Sequence, residues 1–255
     1  MSGLLRMDGR VALVSGASSG LGRHFAGVLA RAGARVALGA RRADKTQKAA
    51  DEIVAAGGTA VAVALDVTDE ASINAALDVT AAKWGPVDTL INNAGVADAH
   101  KALDVDGEIW DRILDTNLKG AWSMARAFAT RLVDTGTPGA VVNIASIVGH
   151  RVSGALMPYA VSKAGIVHMT RALAMEWARH GIRVNALAPG YIETDLNREF
   201  LQSDAGGRLR ARVPQRRFGQ LEDLDGALLL LASDAGRFIT GVSLPVDGGH
   251  LVNSL

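Results

Sequence analysis

The segment VALVSGASSGLG, residues 11–22, decides the architecture of this chain of 255 residues. A short apolar run leads straight into a glycine-rich turn, and a helical pattern then continues to about Ala32. A second apolar run, RVALG at 35–39, completes a β-α-β unit. Glycine permits a tight turn and a close approach of backbone to phosphate, and the N-terminus of a helix attracts an anion. The spacing GxxxGxG therefore indicates a phosphate-binding turn, with an ordinary glycine-rich turn as the simpler alternative.

Strand and helix patterns alternate along the rest of the chain. Valine-rich apolar runs, typical of strands buried on both faces, lie at residues 11–15, 35–39, 60–65, 87–92, 140–145, 183–188 and 243–246. The segments between them have helical periodicity, and those at 44–58 and 69–85 end in glycine, a common signal for the end of a helix. This alternation predicts a parallel sheet with helices on both faces. No linker or repeat interrupts it, so we expect one domain over residues 1–255.

The least regular segment lies at residues 191–219 and contains the basic stretch RLRARVPQRR. Long irregular segments of compact domains are commonly lids or binding loops, so we interpret this one as a substrate loop. Its arginines would suit an anionic substrate, although a solvated helix face is the simpler interpretation.

Composition excludes several classes of protein. A formal net charge of +1 provides no basic field for nucleic acid. The absence of cysteine excludes disulfides, thiol catalysis and cysteine-based zinc sites, and the six histidines are scattered without metal-ligand spacing. The apolar run near the N-terminus is too short for a signal peptide, and no stretch approaches the roughly 18 apolar residues of a membrane span. We therefore expect a cytoplasmic protein with no metal, nucleic acid or membrane partner.

The end of the second apolar run predicts the choice of cofactor. A dinucleotide fold places the adenosine ribose here, with an acidic residue where the 2′-hydroxyl is free. This chain has Ala40 followed by Arg41 and Arg42, and no acid before Asp44. A guanidinium pairs with a 2′-phosphate that a carboxylate would repel, which favours NADP(H) over NAD(H). The alternative is that both arginines solvate the start of the next helix.

The segment PYAVSK, residues 158–163, contains one of only two tyrosines in the chain. Within a helix Tyr159 and Lys163 would share one face, roughly 6 Å apart along the axis. An ammonium favours the phenolate, so we expect the pKa of Tyr159 to fall below its reference value of about 10. An incidental surface pair is the alternative, since the spacing YxxxK is common. Ser146 closes an apolar run 13 residues earlier, at the edge where ligands of parallel sheets bind.

Eight motifs occur in one order that resembles the short-chain dehydrogenase/reductase family over about residues 8–250. They are SGASSGLG, LDV at 65–67, NNAG at 92–95, TNLKG at 116–120, NIAS at 143–146, YAVSK at 159–163, APG at 188–190 and VDGG at 246–249. The resemblance implies a single-domain Rossmann-type doubly wound sheet of about seven parallel strands with helices on both faces.

The resemblance also implies which residues contact a dinucleotide. The glycine-rich turn would hold the pyrophosphate and adenosine ribose, Asp66 and Val67 would flank the adenine, and Asn93 would touch the nicotinamide-side ribose. The implied cofactor-binding residues are Gly16, Ser18, Ser19, Gly20, Leu21, Gly22, Arg41, Asp66, Val67, Asn93, Ala94, Gly95, Tyr159, Lys163, Pro189, Gly190, Ile192 and Thr194. Ser15 replaces a more usual threonine, and Ser19 stands where some NADP-preferring members have a basic residue. Discrimination would then depend on Arg41 and also Arg42, and NAD(H) stays an alternative.

The catalytic group implied by the resemblance is Asn117, Ser146, Tyr159 and Lys163. Hydride transfer to a carbonyl carbon builds negative charge on the oxygen, to which Ser146 can donate a hydrogen bond and Tyr159 a proton. Lys163 would stabilise the tyrosinate, and Asn117 would position a water that connects Lys163 to solvent. Met157, Tyr191 and His150 flank this chemistry in the sequence and are candidates for the substrate pocket.

The resemblance implies an oxidoreductase that interconverts a small-molecule ketone and a secondary alcohol, as a homotetramer or homodimer. Its 3-oxoacyl-(acyl-carrier-protein) reductase branch is the nearest match, with an NAD(H)-dependent sugar or gluconate dehydrogenase as the alternative. A protein of another class, a dinucleotide-binding sensor or scaffold without turnover, should have lost at least one of the four catalytic residues.

Overall fold

A computed structural model describes residues 3–194 and 197–253, which form one seven-stranded sheet covered by helices. The strands are β1 Val11–Ser15, β2 Arg35–Ala40, β3 Thr59–Ala64, β4 Thr89–Asn92, β5 Gly139–Ile144, β6 Ile182–Pro189 and β7 Ser243–Val246. Their order across the sheet is β3-β2-β1-β4-β5-β6-β7, and every neighbouring pair is parallel. The predicted doubly wound parallel sheet is confirmed, and the seven predicted apolar runs match the strands to within two residues at each end.

Nine α-helices are present in the described residues. They are α1 Gly20–Arg31, α2 Ala43–Ala55, α3 Glu70–Trp84, α4 Gly107–Leu114, α5 Gly120–Thr135, α6 Met157–Trp177, α7 Arg198–Gln202, α8 Asp204–Arg210 and α9 Asp225–Ala232. A π-helical turn, Asp115–Lys119, joins α4 to α5. The predicted glycine signals are confirmed, since Gly57 and Gly85 follow α2 and α3 with φ of +85° and +92°.

Helices cover both faces of the sheet because the strand side chains alternate. In β1, Ala12 and Val14 pack into one apolar cluster, which α1, α2 and α9 complete with residues such as Phe25 and Leu228. Val11 and Leu13 point the other way, into a cluster completed mainly by α3 and α5. A strand buried on both faces needs apolar residues at consecutive positions, which explains the near-continuous runs in the sequence.

The topology brings the predicted motifs to one edge of the sheet. The strands run in one direction, so the residues after Ser15, Ala40, Asn92, Ile144 and Pro189 all leave the sheet at its carboxyl edge. The strand order reverses at β1, which lies between β2 and β4. A crevice at such a reversal point is the usual ligand site of open α/β sheets.

A buried polar network fixes α6 against the centre of the sheet. Asn143 of β5 accepts a hydrogen bond from Asn92 of β4 at 3.0 Å and donates one to the Thr170 hydroxyl of α6 at 2.9 Å. Both asparagines and Thr170 are buried. Each hydrogen bond satisfies a polar group that would otherwise be costly to bury, so the network sets the position of α6 relative to β4 and β5. Among the described helices, none is long and apolar enough to cross a bilayer.

Candidate active site

The glycine-rich turn packs directly on the end of β4. Gly16 has a φ of +67°, and a Cβ atom there would lie 2.8 Å from the Ala94 Cα. At Gly22, in the first turn of α1, a Cβ atom would lie 2.4 Å from the Asn93 Nδ2 and 2.5 Å from the Gly16 oxygen. Only glycine fits at either position, because the obstacles are backbone atoms or a held side chain. The turn therefore opens α1 at the reversal point of the sheet, with its backbone close to the cleft.

Ser15 and Asn93 hold the turn in place. The Ser15 hydroxyl accepts hydrogen bonds from the Asn93 and Ala94 amides, both at 3.0 Å. The Asn93 side chain donates to the backbone oxygens of Ser15 at 3.0 Å and Gly16 at 3.3 Å. The serine thus needs only its hydroxyl to connect β1 with β4. In this arrangement the Asn93 amide supports the turn, and the predicted contact with a ribose stays a prediction.

The two arginines after β2 take different positions. Arg42 donates hydrogen bonds to the Ser18 hydroxyl, at 2.8 and 3.2 Å, and to the Ser19 hydroxyl at 2.8 Å. The Arg41 side chain is 71% exposed, and its Nη1 lies 3.9 Å from an Asp66 carboxylate oxygen. The sequence predicts the leading role for Arg41, whereas in the structure the Arg42 guanidinium lies on the glycine-rich turn. Backbone direction after a strand cannot be read from adjacent identical residues, so the sequence offered no signal to separate them.

Asp66 lies at the adenosine end of the same cleft. Its carboxylate accepts hydrogen bonds from the Thr68 amide at 3.0 Å and the Thr68 hydroxyl at 2.7 Å. These bonds, the amide first, lower the pKa of Asp66 below its ordinary value. The carboxylate is therefore ionised at neutral pH and can accept a hydrogen bond from a ligand.

One cleft of about 980 Å³ contains nearly all the predicted site residues. The exceptions are Gly22, which lies beneath the turn, and Asn117, which is 1% exposed. A glycine-rich turn at a helix N-terminus, two guanidinium groups and an ionised carboxylate form a donor set that fits a phosphorylated dinucleotide. A second groove of about 930 Å³ on α1 and α2 contains none of the four predicted catalytic residues.

Tyr159 and Lys163 lie on the first turns of α6, facing the carboxyl end of β5. The Lys163 Nζ is 5.5 Å from the centre of the Tyr159 ring and donates a hydrogen bond to the Ile144 oxygen at 2.7 Å. Burial lowers the pKa of Lys163 to about 8. Burial also raises the pKa of Tyr159, and the opposing hydrogen bond with Ser146 is the smaller effect. The predicted fall in the pKa of Tyr159 is therefore wrong for this structure: the ammonium points to a carbonyl, and desolvation penalises the phenolate.

Ser146 begins the short helical turn Ile147–Gly149 that follows β5. Its backbone is extended, with φ of −168° and ψ of 159°, and its hydroxyl accepts a hydrogen bond from the Val148 amide at 3.3 Å. The same hydroxyl interacts with the phenol of Tyr159. Since the Val148 amide takes one lone pair of the Ser146 oxygen, the hydroxyl hydrogen is directed to Tyr159, and a ligand oxygen bound beside Tyr159 can accept it in place of the phenol.

Asn117 lies in the π-helical turn and joins two parts of the site. Its Oδ1 accepts from the Val96 amide at 2.7 Å, and its Nδ2 donates to the Val96 oxygen at 2.8 Å and the Ser162 hydroxyl at 3.1 Å. Ser162 in turn donates to the Tyr159 backbone oxygen at 2.7 Å. The Asn117 side chain thus positions the helix that carries the phenol, and its water-positioning role stays a prediction.

The segment after β6 also lines the cleft. At Gly190 a Cβ atom would lie 2.8 Å from the Asp247 Cα, so the β6 end packs closely against the segment after β7. Asn197 then holds the next turn: it accepts from the Thr194 amide at 2.8 Å and donates to the Ile192 oxygen at 2.9 Å. Sequence analysis missed Asn197, because an asparagine in an irregular segment has no pattern that reveals its partners. Residues 195 and 196 of the predicted substrate loop lie outside the described residues.

The arrangement is matched by a known family. Residues 16–250 match the family model described as enoyl-(acyl carrier protein) reductase. The chain belongs to the short-chain dehydrogenase/reductase family. As a member of that family it is 40% identical over 250 residues to the L-rhamnose 1-dehydrogenase (NAD(P)(+)) of Azotobacter vinelandii, covering 96% of this chain and 97% of the relative.

Two further relatives of this short-chain dehydrogenase/reductase are named for different substrates. The 3-oxoacyl-(acyl-carrier-protein) reductase FabG of Escherichia coli is 37% identical over 245 residues, which cover 96% of this chain and 98% of FabG. The crystal structure of a gluconate 5-dehydrogenase from Burkholderia cenocepacia, in complex with NADP and tartrate, is 35% identical with a TM-score of 0.94 and covers 98% of both chains. The family resemblance in the motifs is therefore confirmed over almost the whole chain.

Proposed function

We propose that this chain is an NADP(H)-dependent oxidoreductase that interconverts a ketone and a secondary alcohol, with Tyr159 as general acid and base. The observation that carries the proposal is the meeting of Ser146, Tyr159 and Lys163 with the glycine-rich turn in one cleft. Proton donor, hydrogen-bond donor and buried cation line the same wall, as reduction of a carbonyl requires. A sensor or scaffold without turnover has no need of all four catalytic residues.

The residues of the cleft divide the work as follows. A bound nicotinamide dinucleotide supplies the hydride for reduction and accepts it in oxidation. Ser146 donates a hydrogen bond to the substrate oxygen, and Tyr159 gives that oxygen its proton. Burial raises the pKa of Tyr159, which keeps the phenol protonated and ready to act as an acid at neutral pH. In oxidation the same residue must first become a phenolate, which the positive charge of Lys163 stabilises.

The cofactor preference is proposed on the arginines after β2. That strand ends at Ala40, Arg41 and Arg42 follow with no acidic residue, and both arginines line the cleft. A guanidinium suits a 2′-phosphate and is a weaker partner for a free 2′-hydroxyl. The NADP bound to the gluconate 5-dehydrogenase supports this choice. The name of the L-rhamnose relative includes both NAD and NADP, so NAD(H) is the alternative that the experiment must exclude.

Two substrate classes follow from the relatives, 3-oxoacyl thioesters and sugars or sugar acids. The argument for 3-oxoacyl thioesters on an anionic carrier depends on the arginines of the predicted substrate loop at residues 191–219. In the structure Arg217 forms hydrogen bonds with both Asp223 carboxylate oxygens, at 2.5 and 2.9 Å, and Arg216 donates to the Ala211 oxygen. These two arginines have protein partners, so the argument for an anionic carrier depends on the remaining arginines of the basic stretch, Arg208, Arg210 and Arg212. The sugar and gluconate relatives support the second class, a small polyhydroxylated substrate.

A homotetramer or homodimer is proposed on apolar side chains that remain exposed on α5 and α6. Trp122, Val161 and Met175 are 40%, 42% and 80% exposed. These exposed apolar side chains on α5 and α6 accord with a subunit interface, which the family resemblance also implies. Light scattering and sedimentation of the purified protein test this proposal. The cytoplasmic location and the absence of a nucleic-acid or membrane partner stay predictions.

The proposed function is tested with Tyr159→Phe in a screen of 3-oxoacyl thioesters, sugars, sugar acids and cyclic ketones, with NADPH or NADP⁺. We expect NADPH binding to be retained and turnover of every accepted substrate to fall about 10³-fold, the range of general acid–base catalysis. Thermal melting of both proteins is the control for folding. Turnover that survives in Tyr159→Phe would show that another group transfers the proton.

A further inference from the structure

Tyr191 is the second of the two tyrosines in the chain, and both line the same cleft. It follows Gly190, in the segment after β6 that lines the cleft. Tyr191, Tyr159 and Ser146 line the same cleft, and the electrostatic influence of Tyr191 is one of the smaller causes that raise the pKa of Tyr159. Among residues 3–194 and 197–253, none forms a hydrogen bond with the Tyr191 hydroxyl. A polar group at the wall of the cleft is therefore available to a ligand.

The Tyr191 ring is held on two sides. His250, from the segment after β7, lies 5.6 Å away between ring centres, with an interplanar angle of 33°. Phe218, from the predicted substrate loop, lies 6.3 Å away at 57°. The Tyr191 backbone oxygen also accepts a hydrogen bond from the Gly219 amide at 2.9 Å. These contacts restrict the ring, so the hydroxyl is presented at one place with little entropy left to lose.

The supports of this arrangement are themselves fixed. Arg151 donates a hydrogen bond to the His250 backbone oxygen at 3.1 Å. The Asp247 carboxylate accepts from the Gly249 and Leu251 amides at 2.9 and 2.7 Å, which holds the turn before and after His250. Burial, the largest cause, lowers the pKa of His250, so the imidazole beside Tyr191 is uncharged at neutral pH. Tyr191 thus lines the cleft with an uncharged aromatic neighbour beside its ring.

Packing alone does not account for a tyrosine at this position. A phenylalanine would make the same ring contacts with His250 and Phe218, and it would not bring a polar group to the wall of the cleft. A phenol can donate and accept one hydrogen bond each, which matches a substrate hydroxyl in either orientation. A site built to bind a substrate hydroxyl discriminates strongly against an analogue that lacks it, because the polar group of the protein is then left unpaired.

We propose that Tyr191 is a specificity-determining residue whose hydroxyl binds a substrate hydroxyl on a carbon next to the reacting carbon. The inference rests on the proposed function and narrows it: the substrates are vicinal diols and polyols, together with the corresponding 2-hydroxy ketones. Ser146 and Tyr159 bind the oxygen that changes oxidation state, and Tyr191 binds its neighbour. A ketone with no second hydroxyl makes only the first set of contacts.

The experiment compares reduction of 2-hydroxycyclohexanone and cyclohexanone by NADPH in wild type and Tyr191→Phe. Wild type should prefer the hydroxy ketone by at least tenfold in kcat/KM. In Tyr191→Phe the loss of kcat/KM for the hydroxy ketone should exceed the loss for cyclohexanone by at least tenfold. The ratio of the two substrates within one variant is the decisive quantity, because any change in the pKa of Tyr159 affects both equally.

A second variant, Phe218→Leu, leaves the hydroxyl in place and removes one aromatic support of the ring. We expect a partial loss, about threefold, that is confined to the hydroxy ketone. The proposal for Tyr191 is overturned if Tyr191→Phe loses activity equally for both substrates or for neither, or if wild type reduces neither ketone. The proposed function is judged separately: it holds if wild type reduces cyclohexanone and Tyr159→Phe does not, whatever the result for Tyr191. Thermal melting and NADPH binding are measured for each variant.

Discussion

The Lys163 ammonium lies 2.7 Å from the backbone oxygen of Ile144 and 5.5 Å from the centre of the Tyr159 ring. The ammonium is thus held by the last residue of β5, beside the cleft. It acts on the Tyr159 phenol electrostatically, over the distance between them. Lys163 is 5% exposed, and burial lowers its pKa to about 8. A charge kept in this buried position at neutral pH lowers the stability of the folded protein, and its use lies in the site.

The cost of Lys163 predicts a dependence of stability on pH. The pKa of about 8 in the folded protein lies below the 10.5 of the free side chain, so the unfolded chain binds more protons between these values. The contribution of Lys163 to the free energy of unfolding is therefore unfavourable below pH 8 and is relieved as the pH rises to 10.5. We expect Lys163→Met to be more stable than wild type at pH 7, by on the order of 2–3 kcal/mol, and to lose activity.

Urea unfolding of both proteins at pH 7 and pH 9.5 provides the measurement. The difference between them should shrink at the higher pH, because Lys163 is then largely neutral in the folded state. The comparison uses the difference in the free energy of unfolding between wild type and Lys163→Met, because all other groups titrate alike in both proteins and cancel. A variant less stable than wild type at pH 7 would mean that the hydrogen bond to Ile144 outweighs the desolvation of the ammonium.

A second prediction separates Arg42 from Arg41. Arg42 contacts Ser18 and Ser19 of the glycine-rich turn, while Arg41 is largely exposed near Asp66. We expect Arg42→Ala to weaken NADPH binding by about 10- to 100-fold, the worth of a charge-assisted contact, and to leave NADH binding within about threefold. Arg41→Ala is the matched control at the neighbouring position and should have the smaller effect on NADPH. Titration of each variant with both cofactors, followed by nicotinamide fluorescence, gives the comparison. A wild type that prefers NADH would contradict the proposal for both residues.

The features that sequence analysis predicted correctly are encoded locally. Valine-rich runs such as VALVS reveal strands because both strand faces must be apolar, and the spacing of Tyr159 and Lys163 survives in the helix that carries them. Gly16 was identifiable because its turn needs a conformation and a close approach that other residues resist. Such signals depend on residues close together in the chain.

The features that it missed depend on tertiary structure. The pKa of Tyr159 was predicted in the wrong direction because neither its burial nor the Ile144 partner of Lys163 can be read from YxxxK. The same limit applies to Asn197, and to the Ser18 and Ser19 partners of Arg42, a residue that the sequence already indicates beside Arg41, because these partners depend on side-chain direction. Tyr191 was noticed only through its position in the chain, and its neighbours His250 and Phe218 come from segments brought together by folding.

A third prediction concerns Gly22 in the first turn of α1. Gly22→Ala would place a Cβ atom 2.4 Å from the Asn93 Nδ2, which is itself held by the Ser15 and Gly16 oxygens. The second obstacle is the Gly16 backbone oxygen, at 2.5 Å. Because neither the Asn93 amide nor this oxygen can move freely, we expect a loss of about 1–3 kcal/mol in the free energy of unfolding, together with weaker NADPH binding. Gly27→Ala in the same helix is the matched control, since its Cβ would meet only the end of the Arg31 side chain, at 3.3 Å. That variant should gain about 0.5–1 kcal/mol from helix propensity. Denaturant unfolding distinguishes the two, and equal effects would refute a special role for Gly22.

The last prediction tests the buried network that positions α6. Asn143 is fully buried and connects Asn92 of β4 with Thr170 of α6 at 3.0 and 2.9 Å. Asn143→Ala leaves the amide of Asn92 and the hydroxyl of Thr170 each without one partner, so we expect a loss of about 2–4 kcal/mol in the free energy of unfolding. Asn74→Ala is the matched control, because Asn74 is exposed and its side chain accepts a hydrogen bond from Arg131 at the surface. Its cost should stay within about 0.5 kcal/mol.

The same variant also reports on the site, because β5 leads into Ser146 and α6 carries Tyr159. If the network sets the distance between these two elements, Asn143→Ala should lower kcat at temperatures where the variant is fully folded, with little change in NADPH affinity. Thr170→Val removes the α6 end of the same connection, and the double variant should cost less than the sum of the two single changes, since both break one bond. Strictly additive losses of stability, with kcat unchanged, would show that α6 is held by its apolar contacts alone.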